Sequence, residues 1–128
     1  MHPRWKQSAA AVRSAERRQR EDEAPRLSQE VPELVSLSLE IEERSEGIGL
    51  IQQKHVRRVV VDSAPALFLL PCGDPKCDQG GHDVTQSIMR ALRAHNVEFE
   101  GEDGCNGSLG AGICRRILHY QGFAKYRS

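Results

Sequence analysis

Four cysteines, arranged as two pairs, are the residues of this chain best suited to chemistry. Four residues lie between Cys72 and Cys77 and eight between Cys105 and Cys114. Both stretches contain turn-forming residues that let a backbone double back, Gly73 and Pro75 in the first and Gly104, Gly107, Gly110 and Gly112 around the second. Two such loops can deliver four thiolates to one ion, and a tetrahedron of soft sulfur donors selects Zn2+ over magnesium or calcium, with iron as the rarer alternative. Free thiols, disulfides or another metal are the competing readings. The expected ligand set is Cys72, Cys77, Cys105 and Cys114. His82, five residues beyond Cys77, is the alternative ligand, in a site of three thiolates and one imidazole. The plainer reading of Gly80-Gly81-His82-Asp83 is a loop entering a helix, with an exposed imidazole that binds nothing.

Catalytic signatures are missing from the sequence. A catalytic zinc keeps one position open for water, whereas four thiolates close the ion. Pro71-Cys72 echoes half of a deaminase signature, yet no H-x-E accompanies it and no C-x-x-C of the thioredoxin type occurs. Neither the glycines near 47–49 nor those at 107–110 complete a dinucleotide or phosphate-loop fingerprint. The expectation leans away from an enzyme.

The elements that must position the cysteines follow from periodicity. Val35, Leu37, Leu39 and Ile41 alternate with Ser36, Ser38, Glu40 and Glu42, which predicts a half-buried strand. A turn near Gly47 and Gly49 leads to a second strand over 56–62, and the apolar run 66–70 predicts a third, central one. Val84, Ile88, Ala91, Leu92 and His95 recur at helical spacing, so a helix is expected over 83–95 with Asp83 and Gln86 as its capping pair and Asn96 as its end. A short strand at 97–100 and a long one at 115–126 complete the order β-β-β-α-β-β. The expected class is α+β: a small, mostly antiparallel sheet of about five strands with one packed helix and cysteine-bearing loops that form a zinc site.

Composition sets the remaining bounds. At 128 residues the chain suits one domain plus a tail, and with 38% apolar residues its core must be modest. The formal net charge of zero removes the overall basic bias of a typical nucleic-acid binder. That zero conceals segregation: residues 1–20 carry +5, residues 21–33 carry −4, residues 72–114 carry −4 and residues 115–128 carry +4. Residues 1–33 are expected to be a charged arm, helical or disordered, ahead of a zinc-stabilised domain over 34–128. Arg4, Lys6, Arg13, Arg17, Arg18, Arg115 and Arg116 are the candidates for contact with a partner, either a protein complex or nucleic acid. The start lacks a secretory apolar segment, and 64–71 is too short to span a bilayer, so a cytoplasmic location without membrane contact is expected. The functional expectation is a non-enzymatic zinc module that engages a macromolecular partner or assembles into a larger complex. An RNA- or DNA-associated factor is the alternative, and a metalloenzyme or thiol-dependent enzyme the third.

Overall fold

The computed structural model describes residues 9–45, 51–72, 77, 80–105, 107–109, 112–114 and 116–127. It is an α+β fold built on a four-stranded antiparallel sheet. The strands of that sheet are β1 (Leu34–Ser45), β2 (Ile51–Val59), β5 (Glu98–Gly104) and β8 (Arg116–Tyr126), in the order β2-β1-β8-β5. Two short hairpins complete the strands: β3 (Leu69–Pro71) with β4 (Gly81–Asp83), and β6 (Ser108–Leu109) with β7 (Gly112–Ile113). Helices α1 (Ala9–Glu23), α2 (Leu27–Glu30) and α3 (Thr85–Arg93) account for the remaining elements.

The sheet is two-faced because its strands alternate. Leu37, Leu39 and Ile41 of β1 and Leu118, Tyr120 and Ala124 of β8 turn inward, where Ile88, Met89 and Leu92 of α3 meet them. The register sets bulky aromatics opposite glycines: Tyr120 is paired with Gly101, and Phe99 with Gly122. A Cβ on either glycine would fall inside the facing ring, so these two positions are small because the ring opposite occupies the space. The Tyr120 hydroxyl, buried with its ring, hydrogen-bonds Ser87 Oγ and ties α3 to the sheet.

Several elements differ from expectation for identifiable reasons. The apolar run at 66–70 is not a central strand of the main sheet. Only its end forms β3, and the preceding residues find other partners: Ala66 N–H donates to Pro25 O at 2.8 Å and Phe68 N–H to Thr85 Oγ1 at 2.8 Å. The run is apolar on both sides because it crosses the core, with Phe68 1% exposed. The strand expected at 97–100 extends to Gly104, although its Gly and acidic content has poor strand propensity, because it pairs along β8 from Phe123 to Ile117. Helix α3 starts at Thr85, whose N–H donates to Asp83 Oδ1 at 3.1 Å. The helix closes through His95, which takes the left-handed conformation (φ 56°) while Asn96 N–H reaches back to Ala91 O.

The N-terminal segment is helical over Ala9–Glu23, and the Arg26 guanidinium donates to the carbonyls of Glu21, Ala24 and Ser63, holding the helix end against the 60–64 turn. Leu27 is fully buried and Val31 is 2% exposed. The core therefore begins before the boundary expected at Glu33, because α2 inserts this apolar pair under the sheet. No helix among the described residues is long and apolar enough to cross a membrane.

Candidate metal centre

The four cysteines converge from two hairpin ends. Cys72 directly follows β3, and Cys77 lies in the loop that returns to β4. Cys105 directly follows β5, where its N–H donates to Arg116 O at 3.0 Å and extends the β5–β8 ladder by one step. The eight-residue spacing then has a plain cause. The β6–β7 hairpin is inserted between the two cysteines, and Cys114 N–H closes its base by donating to Gly107 O at 2.9 Å.

All four Sγ atoms lie within 4.8 Å of one another, a group that can hold a metal ion. Cys72 Sγ is 3.8 Å from Cys114 Sγ, and Cys77 Sγ is 3.5 Å from Cys105 Sγ. Each close pair joins one cysteine from each loop. A disulfide needs a separation of about 2.05 Å, well below both distances, so neither close pair is a disulfide. A tetrahedral ion with bonds of about 2.3 Å to sulfur sets its ligands about 3.8 Å apart, close to both observed distances. Cys77 and Cys114 are buried, and Cys72 and Cys105 are half-buried.

The electrostatics favour a cation. Burial, reinforced by the neighbouring sulfurs, pushes the Cys77 thiol far above its ordinary value. Burial also acts to raise Cys105, but the N–H groups of Gly107 and Gly81 and the facing sulfurs outweigh it, so its thiol falls below the ordinary value. The Gly107 N–H lies 3.4 Å from Cys105 Sγ. Sulfur anions this close repel one another, and only a shared positive ion lets all four ionise together. Gly80 lines the same space. A Cβ at that position would fall on Cys77 Sγ and Cys105 Sγ, so the cluster leaves no room for a side chain there.

His82 stands apart from the sulfur group and is not the exposed loop imidazole expected from the sequence. It lies on β4 with its side chain fully buried. Its Nδ1 is 3.0 Å from Asp103 Oδ2 on β5, and its Nε2 lies 3.7 Å from Glu43 Oε1 without a hydrogen bond. Glu43, 3% exposed, also accepts from Arg116 Nη1 at 3.2 Å. Burial pulls the imidazole pKa down, but the carboxylates of Glu43 and Asp103 overcome it and hold the protonated form above its ordinary range. Single polar residues in the sequence carried no sign of this network. Glu43 sits at an inward position of an alternating strand, and that parity was the only available signal.

Arg4, Lys6 and Arg115 lie outside the described residues, and Arg13 falls on α1. Arg17 is 3.8 Å from Glu21 of the next helical turn, Arg18 is exposed, and Arg116 is drawn inward by Glu43. The chain matches no protein-family model, no curated protein and no solved structure.

Proposed function

We propose that this chain is a non-catalytic interaction module in which one Zn2+, bound by Cys72, Cys77, Cys105 and Cys114, locks two hairpin ends together. The observation that carries the reading is the pair of cross-loop sulfur separations, 3.5 and 3.8 Å, which suit a tetrahedral thiolate site. Four thiolates fill the coordination sphere, so the ion contributes stability and no open position for substrate. Its contribution is large on the scale of a small domain: structural zinc in peptides is worth about 10–16 kcal/mol, against a typical net stability of about 5–15 kcal/mol. Cysteines left as thiols suit a reducing cytoplasm.

A protein partner fits better than nucleic acid. Arg116 is committed to Glu43, and the outward residues His119 and Lys125 share their sheet face with Glu40, Glu42, Glu98, Glu100 and Glu102, which would repel phosphates. Chelation followed by hydrogen exchange tests the structural role of the metal. Protection over 72–114 falls if zinc holds the hairpins, and an unchanged exchange pattern after verified metal removal contradicts the reading.

A further inference from the structure

The outward face of the main sheet bears a charge gradient from edge to edge. The register places Lys54, Glu42, His119 and Glu102 in one row across β2, β1, β8 and β5. A second row holds Val56, Glu40, Gln121 and Glu100, and a third Arg58, Ser38, Phe123 and Glu98. The β2 edge is therefore cationic, while β5 presents three glutamates at alternate positions. Among the described residues no element covers this side: Val56 is 58% exposed, and Arg58, Glu98, Glu100 and Glu102 are all exposed. Among the described residues, Arg58, Glu98 and Glu102 have no ion-pair partner within the chain. Near one end of the face is a groove of about 730 Å³ whose lining includes Ser36, Ser38, Arg58, Glu98, Phe123 and Lys125.

We infer that this open face binds a second copy of the chain, sheet against sheet, about a two-fold axis parallel to the strands. Such an axis lays β2 of one copy over β5 of the other and β1 over β8. Arg58 then meets Glu98 of the second copy, Lys54 meets Glu102, and Glu42 meets His119, each pair occurring twice by symmetry. Phe123 comes over Ser38 of the second copy, at the groove. The alternative in-plane axis, across the strands, sets β5 on β5 with three glutamates facing three, and like charges exclude it. Sheets packed in this aligned way sit about 10 Å apart with a small crossing angle. The face is about 19 Å wide and about 35 Å long along its two central strands. An area of that order with mostly polar contacts belongs to the weaker specific interfaces. The inference rests on the reading of the chain as an interaction module and supplies its partner.

Sedimentation of the full zinc-loaded chain over a concentration series, at low and high salt, tests it with two charge reversals. Wild type should form a dimer that weakens as salt screens the pairs. Arg58→Glu and Glu98→Lys should each weaken self-association by at least about tenfold, since both symmetry-related pairs become repulsive. Mixing the two variants should restore a one-to-one dimer, because each then supplies the charge that the other needs, and a merely unfolded variant cannot do this. A wild-type chain that stays monomeric at low salt, reversals that leave the dimer unchanged, a mixture that fails to associate, or growth beyond the dimer would overturn the inference. Zinc content measured on the same samples separates this outcome from the metal reading, because a wild-type chain that keeps its ion yet stays monomeric contradicts only the interface.

Discussion

His82 Nδ1 lies 3.0 Å from Asp103 Oδ2, and this one contact joins the two hairpins that supply the cysteine pairs. His82 belongs to β4, at the return of the Cys72–Cys77 loop, and Asp103 belongs to β5, two residues before Cys105. The proposed metal site and the imidazole thus cross-link the same two elements at neighbouring points. Glu43 and Arg116 continue the network into β1 and β8, so charged groups link β4 and β5 to both central strands of the sheet.

Removing the imidazole should therefore cost more than a surface change would. His82→Ala leaves the buried Glu43 carboxylate with one cation fewer and Asp103 without its partner. A loss of about 2–3 kcal/mol is expected, below the full cost of breaking a wholly buried pair because Asp103 is about one-third exposed. Denaturant unfolding of the zinc-loaded protein measures it, and a change under about 0.5 kcal/mol would contradict the assigned role.

The same network gives stability a pH dependence above 6.5, the ordinary imidazole value. The folded-state pKa of His82 is raised, so its contribution is complete below 6.5, the ordinary value, and is lost as pH climbs through the folded value. His82→Gln should flatten this upper limb of the stability profile. Equal slopes for wild type and variant would mean that the imidazole is not held protonated.

Gly80 should be intolerant of even one methyl group. Gly80→Ala directs its Cβ onto two of the sulfurs and is expected to weaken metal affinity by about 10–100-fold. Gly104→Ala is the control, since nothing lies within 4 Å of a Cβ there. Competition with a chromophoric chelator reads both, and equal affinities would remove the steric argument.

In the core, Gly122→Ala should destabilise by about 1–3 kcal/mol by driving a methyl into the Phe99 ring, the usual cost of overpacking. Combining it with Phe99→Leu, which retracts the ring, should recover part of the loss. Thermal unfolding of the two single variants and the double variant decides this, and additive losses would contradict the proposed contact.

The legible part of this molecule was whatever local pattern encodes. Alternation over 34–42 exposes β1, helical spacing exposes α3, and the loop positions of the four cysteines place their sulfurs near one another. Long-range pairing was not legible. Strand β5 is stabilised by its neighbour β8 against its own propensity, and β4 is a three-residue strand that exists only through its pairing with β3. His82 had the composition of an exposed turn around it, and its burial depends on two carboxylates distant in sequence. Leu27 and Val31 sat within a charged stretch whose average concealed two core positions.

Native mass spectrometry of the intact reduced chain tests the central claim most directly. The account predicts one zinc per chain, retained by wild type and lost when two of the four cysteines are replaced by serine. A chain that carries no metal after exposure to zinc under reducing conditions, or one that keeps the ion after Cys77 and Cys105 are both replaced, would contradict it.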